Sequence, residues 1–206
     1  MSYSYRITVT RSVKETVKGK DESRNKITLT EILPEGRMRD LLVEALEKKG
    51  FEKQADGTWK RTVNGVTEVF DPESMEVTAT SEVAGEIEKE KTVQAIGDAR
   101  RERDVTSQRA HAEREVGARL EKELAVTEAE RRAKRDQLEQ EARKRLEESE
   151  GRRMQDLNEA TLDVYAEALK EKARTLGEVK EQHESRRDNG LGGQEYELII
   201  KVSDDG

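Results

Sequence analysis

Residues 116–146 read VGARLEKELAVTEAERRAKRDQLEQEARKRL, and the fold turns on what such a stretch can be. Glu, Arg, Lys, Ala, Leu and Gln dominate it, all good helix formers. Its apolar positions are few. Val116, Leu120 and Leu124 are followed eleven residues on by Thr127, Arg131 and Arg135, and eleven further on by Leu138, Ala142 and Leu146. An eleven-residue repeat describes a straight or slightly right-handed coil, but its middle triplet is polar. A helix here is largely exposed to solvent. Downstream the pattern is denser: Leu157, Thr161, Tyr165, Leu169, Ala173 and Leu176 recur at helical spacing, with Leu162, Val164, Ala166 and Ala168 beside them.

The same material extends outward over 83–187. From 84 to 187 there are 24 Lys+Arg and 26 Asp+Glu, with many opposite charges at i,i+4, a spacing that supports a helix by a few tenths of a kcal/mol per pair. The whole chain of 206 residues is 41% charged, 32% hydrophobic and 3% aromatic. Ordinary domains carry about 25% charged residues, so this chain is too polar for one compact core.

The remainder has a different character. Tyr3, Tyr5, Phe51, Trp59, Phe70 and Tyr196 lie outside the charged middle, as do Pro34 and Pro72. Tyr3, Tyr5, Ile7 and Val9 alternate with polar residues as in a half-buried strand. Residues 14–25 are polar and read as a loop, and 26–33 read as a second strand. Pro34 opens a helix carrying Met38, Leu41, Leu42, Ala45 and Leu46, which Gly50 ends. Strands at 59–63 and 66–70 flank Asn64-Gly65, a strong hairpin signal. A third follows at 75–80.

The expected fold is therefore α+β: a small, mainly antiparallel sheet with one helix, carrying a long, charged, antiparallel helical (coiled-coil) insertion. Residues 1–82 form the α+β domain, 83–187 the helical region and 188–193 a Gly-rich hinge. Residues 194–202, QEYELIIKV, form a strand that returns to the N-terminal sheet. Candidate helix breaks are 104–107, Gly117 and 150–152. A single turn at Gly151 would leave the arms unequal by about 46 Å, while the loop 188–193 spans only about 20 Å. Either a turn near 127–136 or breaks near both 105 and 151 would let the chain return. The remaining alternative is that the last strand joins another subunit's sheet.

No constellation for catalysis is present. The chain has no Cys and two His, His111 and His183, each in a charged helical context. It carries no phosphate loop and no nucleophile elbow. No catalytic, cofactor or metal residue is assigned, and a non-enzymatic protein is expected. A net charge of −7 argues against broad nucleic-acid binding. The basic runs 131–135 and 143–145 sit among acids and read as salt-bridged surface. Gly190-Leu-Gly-Gly193 is similar to the end of ubiquitin-like modifiers, but a strand-like segment follows it and a hinge is the simpler reading. No apolar run approaches the ~20 residues of a membrane span and MSYSYRITVTRS lacks a signal-peptide core, so a cytoplasmic location is expected. The protein is expected to bind a protein partner or to self-associate through the helical arm, with Leu157, Leu162, Tyr165, Leu169 and Leu176 as the interface. Packing of that face within the chain is the alternative.

Two segments, Leu41–Glu52 (LLVEALEKKGFE) and Gly193–Ile200 (GQEYELII), resemble parts of small accessory proteins encoded beside MoxR- or FtsH-like AAA+ ATPases in bacterial conflict systems, and ycf-type proteins of cyanobacteria and plastids. The resemblance covers about 40 residues and none of the long helices. It implies an accessory role beside an ATPase and brings no catalytic residues with it.

Overall fold

The computed structural model describes residues 3–188 and 194–203. The elements are β1 (Tyr3–Lys26), α1 (Glu35–Lys48), β2 (Glu52–Lys53), β3 (Trp59–Val63), β4 (Val66–Asp71), β5 (Glu76–Ala99), α2 (Glu102–Leu124), α3 (Glu128–Leu176), β6 (Glu178–Asp188) and β7 (Gln194–Ser203). The class is α+β, as expected, with antiparallel sheets, a long helix and C-terminal strands. One sheet has the order β1-β5-β4-β3-β2 and a second consists of β6 and β7. The chain divides into two compact units: Met1–Lys20 with Glu82–Ala142, and Asp21–Ser81 with Arg143–Gly206.

In the first unit, β1 and β5 form a ribbon whose alternate residues face the helices. Ile7, Val9 and Leu120 make one buried cluster, with Tyr5, Val93, Ala95, Ala112 and Val116 packed on it. Val17, Val83, Leu138 and Ala142 make another. The opposite face is a charge ladder. Lys14 pairs with Glu86 (2.5 Å) and Glu88 (2.9 Å), Lys18 with Glu82 (2.7 Å), and the Thr10 and Thr92 hydroxyls share a hydrogen bond of 2.9 Å. Cross-strand pairs of opposite charge each contribute a fraction of a kcal/mol. This ladder explains two departures from the sequence expectation. Residues 14–25 are strand rather than loop, and 83–99 are strand rather than helix. Both runs are rich in Lys and Glu, yet their period is two: Val17, Val83, Gly85 and Ile87 face inward while Lys14, Lys18, Glu82, Glu86 and Glu88 face out, and the charges in the inward row, Glu15, Lys89 and Lys91, pair with the helices.

The helices follow the ribbon instead of folding back on each other. Gly117 of α2 lies against Arg11, Arg131 of α3 grips Glu15 through two bonds of 2.5 and 3.0 Å, and Leu138 lies over Gly19. From Tyr5 to Gly19 the strand advances about 46 Å, and from Ala112 to Leu138 the helices advance about 39 Å. The antiparallel arms expected from sequence are absent from this unit because the helices bury their sparse stripe on a sheet rather than on one another. The polar triplet does not interrupt that stripe, since Arg131 meets a carboxylate at its place in the row.

The break between the helices falls at Ala125–Thr127. Helix α2 runs through Gly117, and α3 runs through Gly151. A capping box restarts the helix: the Thr127 N–H donates to Glu130 Oε2 (2.8 Å) and the Glu130 N–H to Thr127 Oγ1 (3.3 Å). Lys89 of β5 reaches the same carboxylate at 2.7 Å. Lys89, together with the Thr127 N–H and hydroxyl, pulls the Glu130 carboxyl down to about 2. A lowered carboxylate contributes stability at pH values above its unfolded pKa, and loses it as pH falls through the folded value. Stability should therefore decline from about pH 4.5 toward pH 2, and Glu130→Gln should flatten that part of the profile. Denaturant unfolding across this pH range checks it; an unchanged acid limb in the variant would rule out this carboxylate as a source. Thr127→Ala should cost about 1 kcal/mol.

In the second unit, α1 and the end of α3 cover one face of β3, β4 and β5. Met38, Leu41, Leu42, Ala45, Leu46, Phe51, Trp59, Phe70, Val77, Leu157, Ala160, Val164 and Ala168 form its core. Asn64 and Gly65 take positive φ (52° and 77°) in the β3–β4 hairpin, where the primed turn demands it. Residues 28–33 lie outside any strand. Pro34 restricts what precedes it, and the Thr30 N–H donates to the Tyr165 hydroxyl at 2.9 Å instead of to a neighbouring strand.

The C-terminal strand forms, but with a different partner from the one expected. β7 pairs with β6 in a separate sheet, from Glu178↔Ser203 to Asp188↔Gln194. The pairing lies within the chain, and residues 178–188 are strand rather than helix. Gly177 ends α3, which leaves the following residues beside β7. Asp188, the first residue of the expected hinge 188–193, ends β6, and the rest of the hinge with its Leu-Gly-Gly sequence, 189–193, lies outside the described residues.

Candidate docking site

The face expected to meet a partner divides in two. Leu157 is 6% exposed and belongs to the core of the second unit. Tyr165 packs against that core and holds the Thr30 N–H, and Leu162 is half-buried. For these residues, packing within the chain is what the structure shows. Leu169 and Leu176 are different: they are 41% and 66% exposed. With Lys172, Ala173, Leu198 and Ile200 they line an open apolar groove of about 270 Å³ between the last turns of α3 and β7.

Several polar contacts fix the walls of this groove. Lys170 pairs with Glu167 (2.9 Å) and with Glu184 of β6 (3.5 Å), which joins the hairpin to the helix. The Glu167 hydrogen bond, with a smaller contribution from Glu184, raises the Lys170 pKa despite its partial burial. Glu171 accepts from Arg37 of α1 at 2.5 and 3.0 Å, and Arg37 lowers the Glu171 carboxyl pKa. About three turns earlier on α3, Lys49 pairs with Glu159. The helix end that carries Leu169 and Leu176 is therefore held on α1 and on β6.

Beneath α3 lies a buried ionic cluster that sequence reading missed. Glu68 of β4 has a side chain with no exposure and Arg61 of β3 has 6%. Arg61 donates to Glu68 at 2.8 Å and to the Lys49 carbonyl at 3.0 Å, pairs with Asp156 at 2.8 Å, and stacks 4.6 Å above Phe51. Arg152 lies 3.4 Å from the other Glu68 oxygen. The sequence does hold a signal for the pair. Arg61 and Glu68 stand at facing register positions of a hairpin already legible from Asn64-Gly65. Nearby, Arg153, 3% exposed, donates to Ser149, Ser23 and the Leu146 carbonyl.

The two histidines lie at exposed positions, His111 on α2 and His183 on β6. Among the described residues no group of three or more His, Cys, Asp or Glu could hold a metal ion. The basic runs are tied to acids in part: Arg131 to Glu15 and Glu128, Arg143 to Glu147, and Lys144 to Glu148. Among the described residues no helix is long and apolar enough to cross a membrane.

The protein so defined is an α+β chain with a long surface helix and an open apolar groove at that helix's end. A family model named FtsH ternary system domain X5 matches residues 1–203, and the chain belongs to that family. The family is a component of an FtsH ternary system, which implies protein partners. The accessory role implied by the resemblance of Leu41–Glu52 and Gly193–Ile200 agrees with this, although the match extends far beyond those segments. No curated protein and no solved structure gave a match.

Proposed function

We propose that this chain is a non-catalytic, cytoplasmic accessory subunit that docks a protein partner in its ternary system, with the AAA+ ATPase as that partner. The observation that carries the reading is the groove formed by Leu169, Leu176, Leu198 and Ile200. Elsewhere in α3 the leucines and Val164 are buried or half-buried and Met154 alone is exposed among the large apolar residues, whereas the last stretch leaves Leu169 and Leu176 open to water beside one another. Exposed apolar surface gathered in one place marks a binding site more often than scattered residues do. The groove admits two or three apolar side chains of a partner segment, and at about 270 Å³ it is slightly smaller than the usual ligand pocket. Membership of a ternary system supports a protein as the occupant. This reading keeps the interface expected from sequence but narrows it from Leu157–Leu176 to its last two leucines, and gives it a second wall in β7.

The test is direct binding of the full chain to the ATPase of its own system. Leu169→Ser with Leu176→Ser should weaken binding by about tenfold or more while circular dichroism stays unchanged, because both side chains are already exposed. Wild-type affinity in that variant would overturn the assignment of the groove.

A further inference from the structure

In the first unit both long strands of the ribbon have an open edge. β1 is the last strand of its sheet, and β4 covers β5 only as far as the Val66↔Ser81 pair. Among the described residues, β1 from Tyr3 to Lys20 and β5 from Glu82 to Ala99 therefore each pair on one side only. Long open edges are templates for another strand. Their outward rows also differ in sign. β1 presents Arg6, Lys14, Lys18 and Lys20, with Thr8, Thr10, Ser12 and Thr16 between them. β5 presents Glu82, Glu86, Glu88, Glu90 and Asp98, with Thr92 and Gln94 between them. The pairing within the chain shows which neighbour each row accepts: lysines lie beside glutamates at 2.5 to 2.9 Å.

We propose that the open edge of β1 accepts the open edge of β5 from a second copy of this chain, continuing the ribbon head to tail. Like charges facing each other across strands are destabilising, so a symmetric β1-to-β1 or β5-to-β5 pairing is disfavoured and the mixed pairing is selected. Such a contact joins two different surfaces, so it propagates into a ring or a filament rather than closing as a two-fold dimer. This interface is separate from the groove at the end of α3 and does not rest on it.

The test is light scattering of the full chain with two edge variants. Thr8→Glu with Thr10→Glu makes the β1 edge repel an acidic strand. Thr92→Lys with Gln94→Lys makes the β5 edge repel a basic one. In cis Thr10 and Thr92 face each other, so neither variant sets like charges opposite one another at that pair, and circular dichroism checks that the ribbon persists. The wild-type mass should rise with concentration and fall in 1 M salt. Each variant alone should be a monomer, and an equal mixture should form a dimer through the one intact edge of each. A wild-type chain that stays monomeric at every concentration overturns the proposal. So does a β5 variant that still dimerises alone, which would mean β1 pairs with β1, and so does a mixture that stays monomeric. If a variant fails to fold, hydrogen exchange of the wild-type chain gives the answer: amides of 3–20 and 82–99 should gain protection with concentration, and their indifference to concentration would refute the contact.

Discussion

Glu68→Ala should lower stability by about 3–5 kcal/mol, the usual loss when one partner of a buried ion pair is removed. The Glu68 carboxylate is wholly buried and receives Arg61 at 2.8 Å and Arg152 at 3.4 Å. Without it, Arg61 keeps Asp156 and the Lys49 carbonyl, but its charge stays in the interior with a cavity beside it. In a chain of this size each kcal/mol moves the melting temperature by roughly 2–4 °C, so a drop of about 6–20 °C should appear by calorimetry. Replacing both partners, Arg61→Met with Glu68→Leu, should recover much of the loss, since an apolar pair of similar volume often equals a buried ion pair. Asp156 and Arg152 are 24% and 34% exposed and can turn to water. A loss below 1 kcal/mol for Glu68→Ala would show that the carboxylate is hydrated.

The second large effect is expected at Gly19. A Cβ there would overlap the backbone of α3 at Leu138 and Glu139, as well as the Leu138 Cβ at 2.6 Å. A helix backbone cannot move aside as a side chain can, so Gly19→Ala should destabilise by about 1–3 kcal/mol. That outweighs the ~0.4–1 kcal/mol gained from a less flexible unfolded chain. Gly85 is the internal control. A Cβ there meets the Lys134 Cε at 2.9 Å and the Leu138 Cδ2 at 3.0 Å, both ends of flexible side chains. Gly85→Ala should cost less than Gly19→Ala in urea unfolding. A neutral or stabilising Gly19→Ala would contradict the seating of α3 on this ribbon.

The elements with strong local punctuation were legible in the sequence. Pro34 and Gly50 bound α1, Asn64-Gly65 forms the hairpin between β3 and β4, and Leu198-Ile199-Ile200 lies in a strand. The charged segments were harder to read. Lys and Glu suit an exposed helix and also suit the open face of a ribbon with a complementary partner. In 14–25 and 83–99 the decisive feature is the inward row, including Val17, Gly19, Val83, Gly85 and Ile87, whose period is two. Its glycines keep that row inconspicuous, and they are there because α3 comes so close. The helix break, left open between a turn near 127–136 and breaks near 105 and 151, was hard to place for a related reason. Gly117 and Gly151 drew attention as breakers, while the Thr127–Glu130 capping box, visible as TEAE, is the stronger signal. Leu169 and Leu176, which line the groove at the end of α3, were legible from helical spacing as part of one apolar stripe. Their division from Leu157 and Tyr165 was not, because it depends on α1 and β7 arriving from distant parts of the chain.

The most direct test of the proposed role is hydrogen exchange on the full chain with and without the AAA+ ATPase of its system. Docking in the groove predicts new protection in residues 169–176 and 196–200 when the ATPase is added, with the buried core around Leu157 and Val164 unchanged. Protection confined to other segments, or none at saturating ATPase, would contradict it.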